Sequence, residues 1–353
     1  MSILLLILSA VVIYLSSEFF VNGVEWVGRK AGVADTAVGT ILAAFGTALP
    51  ESVVTLVAVA FSRGSVEGQQ IGVGAALGGP LVLSTLAYSV VGVMMWVTLK
   101  DKKRRNQPID GKKLSRDQGW FLVIFAAKVA LGLIAFHWKP WVGLLFLAAY
   151  AIYLWKEMRL DGGIAGEPLE PLRIKPRVED PALGWAMLQT GLSLSVTFGA
   201  SQIFVKQLEH LAPVLGIPAG LAAVLLSPIA TELPETLNAV IWVRQGKHGL
   251  ALGNISGSMM IQATIPSALG IVFTPWMLDA PLIWAAVITF ISVLGLLILF
   301  KKNAVTPKRL AAFGIIYGVF IASLAIGLTH PEALLGQKNS EGRPLRQLAA
   351  HFN

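Results

Sequence analysis

Two short stretches set carboxylates, hydroxyls and prolines inside otherwise apolar sequence. FGTALPES (Phe45 to Ser52) returns 184 positions later as IATELPET (Ile229 to Thr236), so Thr47, Pro50 and Glu51 match Thr231, Pro234 and Glu235. A carboxylate deep in a bilayer costs about 2.5 kcal/mol or more, and by default it marks an ion or substrate site. Proline supplies the opening. Pro50 has no N–H, so the carbonyl of Gly46 loses its helical partner, and Pro234 does the same to Ala230. Freed carbonyls beside carboxylates make a hard-oxygen nest suited to Na⁺ or Ca²⁺. Two broken helices in corresponding halves of a membrane protein point to the binding site of a secondary transporter. One Pro-Glu pair alone would be an ordinary helix start. Duplication inside apolar spans is what favours the ion site.

The elements that position these residues follow from composition. The chain has 353 residues, 55% hydrophobic and 14% charged, with mean hydropathy +0.69, the balance of an all-α polytopic membrane protein. Ten spans are expected near 2–28, 33–61, 69–98, 119–137, 140–156, 183–208, 217–243, 249–273, 281–300 and 308–328. The opening MSILLLILSA has no basic n-region or small-residue cleavage site, so it reads as a retained span. With the N-terminus outside, the inner loops hold 21 of the 28 basic residues, which predicts N-out and C-out. The net charge of +8 is thus explained by topology and anionic-lipid contact, chiefly at Lys100 to Arg116, and not by nucleic acid. There are no cysteines, which excludes disulfides and thiol chemistry, and the five histidines lack metal-ligand spacing.

The duplication extends further. At the same offset Ser17, Phe20, Val21, Glu25 and Gly32 meet Ser201, Phe204, Val205, Glu209 and Gly216; after the LPE segment Gly74 and Gly78 meet Gly253 and Gly257. Five spans per half would turn the second half upside down, an inverted repeat that brings Glu51 and Glu235 together near the midplane. The expected organisation is a first repeat over 1–156, with its repeated core around 36–84, and a cytoplasmic linker over 157–182. A second repeat over 183–330, with its core around 220–263, and a tail over 331–353 complete the chain. Glycine four apart in IGVGAALGGP reads first as close helix packing. In ALGNISGS and beyond, Asn254, Ser258 and Gln262 share one helix face and could aim oxygens at an ion. Lys128 amid FAAKVALGL reads as a snorkelling lysine or a partner for a carboxylate across the bundle. Glu18 reads as an access-path residue or a polar helix contact, Glu25 and Glu209 as solvated caps. The tryptophans Trp26, Trp96, Trp138, Trp141 and Trp242 read as an interfacial belt.

At the paired LPE cores and GNISGS, the chain resembles the cation/Ca²⁺ exchanger superfamily, whose two repeats carry a G-T/S-S-L-P-E core followed by G-N-x-x-G-S-N. The resemblance implies that Thr47, Glu51, Thr231 and Glu235 form the central cation site, lined by Asn254, Ser258 and Gln262. It also implies alternating access, the first and sixth spans moving against a fixed core. The chain departs from the pattern where the family serine becomes Ala48 and Glu232, and where Ala75, Gly79 and Leu83 stand opposite Asn254, Ser258 and Gln262. With Glu232 in the site, three acids surround it, and like charges that close cannot all ionise without a cation.

The expected function is exchange of Ca²⁺ for Na⁺, with Ca²⁺/H⁺ exchange through Glu232 as the alternative. An intramembrane hydrolase is a remote third, since no His-Glu, Ser/His or Asp-Asp motif accompanies the acids. No cofactor is expected beyond the transported Ca²⁺, Na⁺ or H⁺. The expected partners are inorganic cations and lipids; one protomer is sufficient. Compact size and a bare linker suggest a bacterial or archaeal cytoplasmic membrane.

Overall fold

The computed structural model describes residues 2–31, 43–62, 65–98, 109–160 and 169–329. Among them the chain is all-α, without strands. In the first half, α1 (Ser2–Lys30) is followed by α2 (Ala43–Leu56), which carries the first LPE stretch and passes into a π-helical turn at Val57–Phe61. Next come α3 (Val66–Val82), a π-helical turn at Leu83–Ala87, α4 (Tyr88–Thr98), α5 (Gly111–Leu131) and α6 (Lys139–Leu160). The second half holds α7 (Leu183–Val214), α8 (Ala219–Thr231), α9 (Leu233–Arg244), α10 (His248–Phe273), α11 (Ala280–Lys301), α12 (Pro307–Ala311) and α13 (Phe313–Thr329).

The expected spans fall on helices or interrupted helices where they are described, except the fourth: in place of 119–137 the helix is Gly111–Leu131, and 132–138 is non-helical. Among the described residues, five stretches are long and apolar enough to cross a membrane by length and composition: Ser2–Lys30, Val66–Thr98, His248–Phe273, Ala280–Lys301 and Pro307–Ile326. Ala48–Phe61 and Ala219–Thr231 are shorter apolar helices. The first contains Glu51, and the second ends beside Glu232.

Packing divides the helices into two groups. α1 and α7 lie along each other, joined where the hydroxyls of Ser16 and Thr197 meet at 2.8 Å and where Gly23 lets the Thr190 backbone approach. Their outward faces expose Leu4, Val11 and Leu15 on α1, and Leu188, Leu192 and Val196 on α7. Apolar side chains around the outside suit a helix pair facing hydrocarbon. The other group is built on α10, which has 78% of its apolar window buried and so stands at the centre. Around it Leu77, Tyr88, Phe121, Met259 and Phe300 form one continuous core from α3, α4, α5, α10 and α11.

α3 crosses α8 at backbone contact. A Cβ on Gly74 would lie 2.9 Å from the Gly220 Cα, and one on Gly78 2.8 Å from the Val224 carbonyl oxygen. The small residues four apart therefore serve close packing, as their spacing predicts.

The linker is more than a spacer. Residues 169–182 dock on α1 and α7: Trp26 donates to the Glu170 carbonyl at 2.9 Å, Asn22 accepts from the Arg173 N–H at 3.0 Å, and Gln189 accepts from the Ile174 N–H at 3.0 Å. Leu172 is wholly buried between Trp26 and Ala186. Trp26 is therefore a docking post, whereas Trp96, Trp138 and Trp141 are exposed as a belt requires. The tail 331–353 and most of the basic run after Thr98 lie outside the described residues, as do 32–42 at the start of the first repeat's core.

Candidate functional site

The two LPE stretches fold differently. α2 runs through Pro50 uninterrupted, and its irregular turn comes later, at Val57–Phe61. In the second copy α8 stops at Thr231, α9 restarts at Leu233, and Glu232 is the hinge between them at φ −98°, ψ −6°. The expectation of two broken helices is thus met in the second copy and corrected in the first. The copies differ in sequence around this point: the second has Pro228, Glu232 and Pro234 where the first has Ala44, Ala48 and Pro50. α8 continues through Pro228 and stops only at Thr231, and Pro234 then falls in the first turn of α9, where proline is tolerated.

The break aims Glu232 inward. Its Oε1 accepts from the Thr231 hydroxyl at 2.8 Å, and its Oε2 accepts from Gln262 Nε2 of α10 at 2.7 Å. Glu51 of α2 comes in from the other side, and the two carboxyls meet. Glu51 and Glu232 are each only 1% exposed, and Glu235 is wholly buried close enough for its charge to bear on Glu51. The structure thus brings Glu232, outside the matched Pro-Glu pair, into the site beside Glu51. Gly79 of α3 makes the room: a Cβ there would lie 2.7 Å from both the Glu51 Cδ and the Gln262 Oε1.

Of the other expected ligands, Ser258 and Asn254 are buried on the same α10 face, one and two turns from Gln262. The Asn254 amide N–H₂ and the Gln262 Oε1 have no hydrogen-bond partner among the described residues. Thr47 sits on α2 one turn before Glu51, and its side chain lies outside the described residues. Among the described residues no three carboxylate, imidazole or thiol groups converge closely enough to hold a metal unaided. A cation between Glu51 and Glu232 would draw further oxygens from Gln262, Thr231 and the carbonyls freed by Pro50 and Pro234. Two carboxylates in contact and out of water need such a cation, or a proton, between them.

Residues outside the LPE motif also belong to this neighbourhood. Thr55, one turn after Glu51, and Ser227, one turn before Thr231, are buried hydroxyls without a hydrogen-bond partner among the described residues. Their four-residue spacing from the motif was the available signal. Lys128 does not snorkel. It is wholly buried, donating from Nζ to the Ala76 carbonyl of α3 at 2.9 Å and lying 4.9 Å from the Phe125 ring centroid. Glu18 makes a polar contact: it pairs with Arg173 of the linker at 3.0 Å and accepts from Tyr14 at 2.6 Å. Glu209 accepts from Ser65, the residue that caps α3, at 2.8 Å.

Known proteins share this arrangement of sequence and fold. The family model for "Sodium/calcium exchanger protein" matches residues 1–157 and 185–326, both LPE stretches included. Inner membrane protein YrbG of Escherichia coli strain K12 is 26% identical over 340 residues, spanning 91% of this chain and 95% of that protein. Two solved exchangers share the fold. The sodium-calcium exchanger NCX_Mj, soaked with Na⁺ and Sr²⁺, superposes with TM-score 0.59 at 21% identity, over 92% of this chain and 99% of that one. The H⁺/Ca²⁺ exchanger CAX superposes with TM-score 0.65 at 19% identity, over 95% of this chain and 89% of that one.

Proposed function

The chain belongs to the sodium/calcium exchanger protein family, and from that premise we propose that it is a secondary active antiporter exchanging Ca²⁺ for Na⁺ at one buried site. The observation that carries this reading is the meeting of Glu51 and Glu232 between the LPE helices, with Thr231 and Gln262 fixing Glu232. Ca²⁺ takes roughly six to eight oxygens at about 2.3–2.6 Å. Glu51, Glu232, Glu235, Thr47, Thr231, Asn254, Ser258, Gln262 and the freed carbonyls form the proposed donor set. When Ca²⁺ leaves, buried carboxylates remain that only another cation can neutralise, which is a physical reason for exchange instead of leak.

The proposed frame is ten membrane-crossing helices in two inverted halves, 1–156 and 183–330, N-out and C-out in a cytoplasmic membrane. Alternating access would move the α1–α7 pair, whose apolar outer faces and mutual contacts suit a unit that slides against the α10-centred core. Ca²⁺/H⁺ exchange is the second reading. The Glu51–Glu232 contact favours it, because a proton can take the place between the two carboxyls that a cation vacates.

Uptake of radioactive Ca²⁺ into proteoliposomes under separate Na⁺ and H⁺ gradients tests both. Gradient-driven uptake abolished by Glu51→Gln and by Glu235→Gln is the expected result; uptake indifferent to both removes the exchanger. Under the proton reading, Glu232→Ser lowers Ca²⁺-driven proton counterflux, and an unchanged flux retires it.

A further inference from the structure

Lys128 has no part in ion exchange as described above, yet its surroundings tie it to the site. Pro80 has no N–H, so within α3 the Ala76 carbonyl loses its helical partner; the Lys128 ammonium supplies one at 2.9 Å. Ala76 lies three residues before Gly79, against which the Glu51 carboxyl rests. The ammonium is therefore anchored on the same helix that forms the floor of the site. A serine hydroxyl could satisfy a lone carbonyl without bringing a charge. A wholly buried ammonium needs a countercharge, and Ala76 holds this one three residues from Gly79, against which the Glu51 carboxyl lies.

Its position is also fixed. The indole of Trp276, itself wholly buried, donates to the Lys128 carbonyl at 2.9 Å, and Lys139 donates to the Trp276 carbonyl at 2.9 Å. The end of α5 is thereby pinned to the segment joining α10 and α11. The ammonium cannot swing to a membrane face.

Resting on the exchanger function proposed above, we propose that Lys128 is a fixed counter-cation of the site, offsetting one of its three carboxylate charges and so setting the cation charge the site accepts. The two halves differ at this point, since Ala48 occupies in the first copy the position that Glu232 holds in the second. Glu51, Glu232 and Glu235 together bring three negative charges; one ammonium leaves two, which one divalent or two monovalent cations balance. Three negative charges alone leave one unmatched beside a single Ca²⁺.

Removing a fixed positive charge favours any entering cation, and a divalent ion twice as strongly as a monovalent one on a logarithmic scale. Radioactive Ca²⁺ binding to the purified full-length protein near neutral pH reads this directly, with Na⁺ affinity taken from competition. Lys128→Met should tighten Ca²⁺ binding about tenfold or more, with a smaller gain for Na⁺. Glu232→Gln should weaken it, and Lys128→Met/Glu232→Gln should return it to within about threefold of the unaltered protein. Lys128→Arg keeps the charge and should also stay within about threefold.

Should Lys128→Met alone misfold, a double variant that folds and binds Ca²⁺ normally supports the inference. Equal loss in Lys128→Met and in the double variant overturns it and leaves Lys128 as a packing post on Ala76. Unaltered protein that binds no cation sinks the exchanger function and this inference with it; binding that ignores Lys128 sinks the inference alone.

Discussion

The two LPE regions share residues and differ in mechanics. The first keeps one helix through Pro50 and offers a single acid, while Gly79 and Leu83 stand where α10 contributes Ser258 and Gln262. The second gives up its helix at Glu232 and offers two acids, of which Glu232 is held by a hydroxyl and an amide. One half supplies space and the other supplies ligands. A motif repeated in sequence has become two complementary parts of one site, because a glycine on one side makes room for what the other side projects.

The largest expected effect comes from filling that space. In Gly79→Ser the new Cβ would collide with the Glu51 carboxyl and the Gln262 Oε1, both ends of movable side chains. The fold should survive and the ligands should shift, so Ca²⁺ affinity should fall at least about tenfold. Calcium binding checks this, with thermal melting as the control. Unchanged affinity would show that the floor of the site lies elsewhere.

The glycines of the helix crossing divide the halves again, this time in stability. A Cβ at Gly74 would meet the backbone of Gly220, which cannot yield, whereas its repeat mate Gly253 has nothing within 4 Å. Gly74→Ala should destabilise by about 1–3 kcal/mol, while Gly253→Ala should stabilise by about 0.5–1 kcal/mol through the lower entropy of the unfolded chain. Equal melting temperatures would mean that α3 and α8 do not cross at backbone contact.

These pairs show what could be read without coordinates. The LPE duplication, the apolar spans and the spacing of Asn254, Ser258 and Gln262 were legible because they are local patterns of type and period. The family follows from the same residues, and the match over 1–157 and 185–326 agrees. The unequal fate of the two helices was not legible from Pro50 and Pro234, which match in the two copies while only the second helix breaks. Nor could sequence tell that Glu51 meets Glu232, since that depends on which way the broken helix turns. Of the two readings of Lys128, sequence could not rule out snorkelling, because the orphan carbonyl that holds it is created by Pro80 on another helix.

Proline replacement sharpens the mechanical contrast at a smaller scale. Pro50 lies inside α2, where alanine would restore the hydrogen bond to the Gly46 carbonyl, so Pro50→Ala should raise the melting temperature. Pro234 lies in the first turn of α9, where proline costs nothing, so Pro234→Ala should leave it nearly unchanged. Thermal melts of the purified variants compare them, and matching shifts would mean that the copies bear equal strain.

The smallest effect concerns the buried hydroxyls beside the acids. Thr55 follows Glu51 by one turn and Ser227 precedes Thr231 by one turn; their repeat positions hold Ala239 and Ala43. Each half thus carries one such hydroxyl, on opposite sides of its motif in chain order. In the inverted arrangement proposed above, that places both towards the same outer face. A buried hydroxyl without a partner costs stability, so Thr55→Val and Ser227→Ala should melt no lower than the unaltered protein and up to about 1 kcal/mol higher. If these hydroxyls replace part of a cation's hydration on its way in, each variant should also slow Na⁺-driven exchange by about threefold while leaving Ca²⁺ affinity intact. A rise in stability with no loss of rate would show that the outer path runs along other helices, and the two halves would then differ in their ligands alone.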